Sequence, residues 1–289
     1  PMVAVGLGAA FIGLAPIGVR ESELGPQATA AWRFGIAAVV LAAAWLVMRQ
    51  RPGAPATPFG GRFKLLAVAG VCLGIDIGLW HESLHLTTVA NATLLSNMTP
   101  VIAVLVGWLV FKERVGWGFA AGAGIALTGA VLLTLGRLST DPTARASHLL
   151  GDALALATAV FYAGYLILLS RARQQAEVIA AMLITTLAAF LVTLVLTLLK
   201  GEAVWPTTAY GWAVLVGLGT VVHVGGQGLI ALGLGRLPIT LSTVLLWIQP
   251  VAAAMLGWAL YQEALGPVAL AGAAMVLCGI WVVQGSRAR

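Results

Sequence analysis

The sharpest chemical motif in the chain is His81-Glu82-Ser83-Leu84-His85. Two histidines four apart on a helix, with a glutamate beside the first, form the zinc-binding pattern of metalloproteases. A catalytic zinc needs a third protein ligand, and no residue at a suitable spacing supplies one. A zinc enzyme built on His81, Glu82 and His85 is therefore a remote alternative. The charges that fall inside apolar runs say more. Asp76 is the one carboxylate well inside such a run, where its insertion costs roughly 2.5–3.5 kcal/mol at mid-bilayer. Arg33, in the preceding run, lies at a similar depth. Two arrangements are open. Arg33 pairs with Asp76, which then is a fixed charge. Otherwise Arg33 snorkels outward, and Asp76 faces water and exchanges protons.

Other polar and aromatic residues fall at mid-run. His223 has Gln227 one turn away on the same face, and the glycines around them let backbone and ligand come close. Pro100 and Pro250 interrupt their helices and free the carbonyls of Ser96 and Leu246. Ser96 and Asn97 sit beside the first break, Trp247 and Gln249 beside the second. Trp80 follows Asp76 by one turn, and Tyr162 and Tyr165 share another run. Aromatic faces with a few polar groups suit an amphipathic ligand.

The elements that must carry these residues are membrane helices. The chain has 289 residues, 60% hydrophobic and 9% charged. A soluble domain carries about 25% charged residues, so most of this exterior must face lipid. The net charge of +6 is spread over short connectors and makes no nucleic-acid footprint. Cys72 and Cys278 lie in apolar runs and read as small hydrophobes. Runs near the roughly 20-residue spanning length fall at 2–19, 26–48, 64–84, 87–111, 115–136, 149–170, 178–199, 209–233, 239–260 and 266–284. Alternate connectors hold Arg49, Arg51, Arg62, Lys64, Lys112, Arg114, Arg171, Arg173, Arg236, Arg287 and Arg289. The opposite ones hold only Arg20, Arg137, Arg145 and Lys200. That bias puts both termini in the cytoplasm. Tryptophans near run ends, such as Trp45, Trp117 and Trp205, read as interfacial anchors. Gly74-x3-Gly78 and Gly118-x3-Gly122 read as packing seams.

The runs repeat. A shift of 150 positions takes Pro100 to Pro250, Gly107-Trp108 to Gly257-Trp258, Glu113 to Glu263 and Gly129 to Gly279. Two five-helix repeats follow, over residues 1–137 and 148–289. An odd helix count makes the second enter the membrane from the other side, so the repeats are inverted. The expected fold is an all-α integral membrane protein of ten transmembrane helices in two inverted five-helix repeats. Such repeats place a substrate site at the midplane and permit alternating access. Glu113 and Glu263 occupy tight turns, where they cap the following helices. No G-x4-G-K-[ST] loop is present for a nucleotide-driven pump. The expectation is thus secondary transport by a monomer, with no cofactor and no nucleic-acid partner. A small-molecule substrate and the lipid bilayer are its partners. Asp76 is the residue to link transport to protons, if protons are coupled.

The order of these features resembles the EamA domains of the drug/metabolite transporter superfamily. They are the internal proline, the Gly-Trp pair, the glutamate at the turn, the glycine-rich helix after it, and Gly151-Asp152 opening the sixth run. The resemblance covers nearly the whole chain as two domains. It implies ten helices, a bacterial inner-membrane location and outward movement of small metabolites. Within the superfamily the chain is most similar to YddG-type exporters of aromatic and other amino acids. Another cargo, drug-like or sugar-linked, is the alternative. Phosphate-bearing cargo would want several intramembrane basic groups, and Arg33 is the only one.

Overall fold

The computed structural model describes residues 2–50, 61–99, 101–102, 116–135, 142–173, 175–230, 248–262 and 266–287. Among them every regular element is a helix. The elements are α1 (Met2–Gly13), α2 (Ala15–Arg20), α3 (Pro26–Arg49), α4 (Phe63–Leu86) and α5 (Val89–Ser96). Next come α6 (Trp117–Leu135), α7 (Pro142–Arg173), α8 (Val178–Lys200) and α9 (Ala209–Gly217). A π-helical segment, Leu218–Gln227, prolongs α9; α10 (Ile248–Tyr261) and α11 (Pro267–Arg287) complete the set.

Six helical stretches are long and apolar enough to cross a membrane. They are Met2–Arg20, Pro26–Arg49, Phe63–Leu86, Ala146–Arg173, Val178–Lys200 and Ala209–Ile230. Shorter apolar helices occupy Ala120–Leu132 and Leu270–Gly279. The expected fourth and ninth runs lie partly outside the described residues. Helix α7, the expected sixth run, starts earlier than that run, at Pro142, where a fixed φ and a missing N–H suit a first helical residue. The chain does break before Pro100. Helix α5 ends at Ser96, Asn97 caps it, and the Thr99 hydroxyl donates to the Ser96 carbonyl at 3.0 Å.

Helix α4 packs against α7 and α8, and the π segment packs against α1 and α3. The 150-residue shift exchanges these pairs. It likewise exchanges α1–α10 with α5–α7, and it maps α3–α8, α5–α10 and α6–α11 onto themselves. The α6–α11 seam carries the exchange down to atoms. A Cβ on Gly129 would lie 2.7 Å from the Gly272 carbonyl and 2.6 Å from the Val276 nitrogen. One on Gly279 would lie 2.5 Å from the Gly122 carbonyl and meet the Ala126 nitrogen. Only glycine lets these backbones touch. Gly70 and Gly74 do the same for α4 on α8, meeting Thr185, Ala188 and Ala189. Large apolar side chains such as Val39, Leu191 and Leu199 point outward, as lipid-facing surface requires.

Candidate functional site

Arg33 belongs to the buried stripe of α3, with Ala30, Phe34, Ala37 and Leu41. That spacing is one helix face, so a cation stands in the middle of an apolar contact surface. It is 1% exposed, and its Nε and Nη1 have no hydrogen-bond partner. Asp76 stands in the equivalent stripe of α4, between Leu73 and Trp80, and is 6% exposed. The two charges lie within electrostatic reach of each other, yet among the described residues no direct ion pair joins them. Neither arrangement open from sequence is therefore met as stated. Arg33 does not turn outward, and it does not grip Asp76.

The π segment supplies the facing wall. Its wider turns, with i→i+5 bonding, often mark functional sites. A Cβ on Gly219 would lie 2.8 Å from the Ile36 Cβ and 3.2 Å from the Arg33 carbonyl. Glycine there brings the segment against α3 at the level of Arg33. His223 is 3% exposed and meets Phe34 edge-on, with centroids 5.1 Å apart at 86°. Its Nε2 sits 3.1 Å from the Thr186 hydroxyl of α8, and its Nδ1 is buried with no partner. Thr185, Thr193 and Thr197 on the same helix instead bond carbonyls of their own turn. Thr186 alone of these four reaches across. Gln227 lies near the Tyr162 hydroxyl. Tyr162 stacks on Tyr165 at 5.8 Å and 26°. Tyr165 is buried, whereas Tyr162 and Gln227 keep part of their surface open. Asp76, Arg33, Tyr162, Tyr165, His223 and Gln227, drawn from four separate runs, thus converge.

Other expected site residues lie apart from that cluster or serve local roles. Trp80 packs in the core with Val19, Leu84 and Val89. Ser96 and Asn97 are half-buried and donate to the Thr93 carbonyl at 3.0 and 2.7 Å. Gln249 is half-buried, with its backbone against Gly13. Pro250 falls within α10; Pro100 and Trp247 lie outside the described residues. In the histidine motif, His81 Nδ1 sits 3.0 Å from the Pro26 carbonyl. Glu82 ion-pairs with Lys200 and accepts from Gln27 at 2.9 Å. Among the described residues no three His, Cys, Asp or Glu gather as a metal set.

A second polar layer caps the end of the bundle that holds Arg20. Asp152 accepts from Thr87 at 2.7 Å and from Asn91 at 3.1 and 3.2 Å. Arg20 donates to the carbonyls of Leu84 and Thr87. Glu21 accepts from Tyr210 and Tyr261, both at 3.0 Å. Glu23 binds the start of α9. The hydroxyl of Thr208, then the backbone N–H of Thr207, hold its carboxyl below the usual range. Glu202 in turn accepts from the Ala28 N–H in the first turn of α3, at 2.8 Å. Sequence reasoning missed Thr186, Phe34 and the Asp152 network. Nothing local separates Thr186 from its neighbours, and Asp152 looked like an ordinary helix start.

The EamA-like transporter family matches residues 2–135 and again residues 149–284. A probable terminal-alkyne amino-acid exporter of Streptantibioticus cattleyicolor is 27% identical over 255 residues, spanning 87% of this chain and 82% of its own. A solved crystal structure covers 96% of this chain and 94% of its own, with a TM-score of 0.63 and 21% identity, and speaks for the fold alone. With residues 2–135 and 149–284 both matched, the chain belongs to the EamA-like transporter family and is a transporter.

Proposed function

We propose that this protein is a secondary transporter of a bacterial inner membrane that exports small amphipathic metabolites, chiefly amino acids including aromatic ones. The observation that carries the reading is the convergence of Arg33, Asp76 and the stacked Tyr162–Tyr165 pair inside the bundle. Opposite charges beside aromatic faces are what an amphipathic zwitterion needs. The similarity to the Streptantibioticus protein, a probable terminal-alkyne amino-acid exporter, supports the same substrate class.

The exchange of helix contacts under the 150-residue shift supports ten helices in two inverted repeats, over residues 1–137 and 148–289. Paired contacts of that kind are the signature of a two-fold axis. Alternating access then rocks one repeat against the other around a fixed midplane site. The bias of the basic connectors supports both termini in the cytoplasm, and the proposed unit of function is the monomer. Asp76 is the proposed point of proton coupling, since among the described residues no ion pair fixes its charge.

Flux of a panel of labelled amino acids into proteoliposomes tests the substrate class, with drug-like and sugar-linked solutes as controls. Aromatic amino acids are expected to move; movement of the controls alone would overturn the reading. A flat pH profile of flux in the wild-type chain would remove the proton. Orientation is tested in a chain whose Cys72 and Cys278 are replaced by alanine. Single cysteines at Ser139 and Ser286 should react with an impermeant reagent from opposite sides. Reaction of both from one side would refute the inverted arrangement.

A further inference from the structure

We propose that Arg33 and Asp76 are the two halves of one headgroup site, the guanidinium binding the α-carboxylate of an amino acid and the carboxylate its α-ammonium. The proposal deepens the amino-acid export reading and rests on it.

Four observations meet here. Arg33 is 1% exposed, and its Nε and Nη1 donors are unpartnered. Leaving charged donors unsatisfied in a buried place is costly, so a site that keeps them so has a use for them. Asp76, 6% exposed, is close enough for its field to act on Arg33, while among the described residues no direct ion pair joins the two. A gap between opposite charges is what a zwitterion bridges, with one charge-assisted bond at each end. With Asp76 ionised the pair is neutral as a whole, so a zwitterion leaves no charge uncompensated. A bare amine would leave Arg33 without a counter-charge, and a bare carboxylic acid would do the same to Asp76. Finally, the stacked tyrosines pack with Phe34, Leu73 and Ile77, which flank the two charged positions, and Tyr162 and Gln227 are the partly open members of the cluster. They give the side chain of the ligand an apolar face next to its charged head.

The site is single. The shift that relates the halves takes Arg33 to Leu183 and Asp76 to Gly226, so the second half holds neither charge.

Three probes that share one side chain test the proposal: L-phenylalanine, phenethylamine and phenylpropionate. Each is measured by ligand-induced thermal stabilisation of the purified full chain in lipid nanodiscs, with no ion gradient. The wild-type chain should prefer phenylalanine over both half-ligands by roughly tenfold or more in affinity, the scale of one charge-assisted hydrogen bond. Arg33→Gln should lose that preference and favour the amine. Asp76→Asn should lose it and favour the acid. Arg33→Lys, which keeps the charge, should retain the wild-type order. Equal binding of all three probes by the wild-type chain would overturn the proposal even if the variants fail to fold. So would folded Arg33→Gln and Asp76→Asn chains with unchanged affinity for phenylalanine. These results are distinct from failure of the export reading, in which no amino acid of the flux panel moves at all.

Discussion

The two halves of the bundle pack alike and differ in chemistry. Under the 150-residue shift Arg33 corresponds to Leu183, Leu73 to His223, Asp76 to Gly226 and Ile77 to Gln227. Helix α4 meets α7 and α8 as the π segment meets α1 and α3. Yet the first half brings a buried arginine and aspartate on regular helices, and the second brings a histidine-and-glutamine pair on π turns. Packing asks only for small residues and an apolar stripe, which a duplicated sequence keeps easily. One ligand needs one set of groups, so the two copies of each position are free to diverge. Gly226 shows the point. It lies against Gly8 of α1, while its counterpart Asp76 carries an ionisable carboxyl.

The largest effects should come from breaking what the halves share. Gly129→Leu and Gly279→Leu each drive a side chain into the partner backbone across the α6–α11 seam. Each should cost about 3 kcal/mol or more, beyond the usual overpacking penalty, read as lost thermal stability or lost folded protein. The two losses should be similar; tolerance of one and collapse of the other would deny the two-fold character of the seam. Next comes what the halves do not share. Arg33→Leu installs the residue found at position 183 and should lower amino-acid flux roughly thirtyfold or more, as loss of a buried charged contact does. Leu183→Met, which nearly conserves volume, should cost under about 1.5 kcal/mol of stability and leave flux in place. Comparable flux losses in both would mean that Arg33 merely fills space.

A smaller effect separates the threonines of α8. Thr186→Val strands His223 Nε2 and should cost about 1–3 kcal/mol in thermal unfolding. Thr193→Val removes only a bond to its own helix and should cost less. The reverse order would show that the Thr186–His223 bond does not hold the π segment. The smallest is an exposed carboxylate. The folded chain holds Glu23 below its usual pKa through Thr208 and Thr207, so the protonated form is favoured by unfolding. Its contribution is full above the usual carboxylate range and fades as pH falls through and below it. Glu23→Gln should flatten that part of the acid stability profile; an unchanged slope would assign it to other carboxylates.

Composition and periodicity determined a good deal of this. So few charged residues over so long a chain leave lipid as the only solvent for the exterior. The echo of Pro100 in Pro250 marks the duplication, and the helix break before Pro100 follows from the missing N–H, since Ser96 loses its usual donor and Thr99 supplies another. Asp76, Arg33 and His223 stand out because ionisable groups are expensive at mid-membrane wherever they point. Which of them meet was decided by tertiary packing. Gly219 brings the π segment onto α3, and the wider π turn aims His223 at Thr186 and Phe34. Depth along a helix can be counted from residue numbers, whereas azimuth and interhelical distance depend on every neighbour at once. That is why sequence placed Arg33 and Asp76 at one level, and only the packed bundle set them close without joining them.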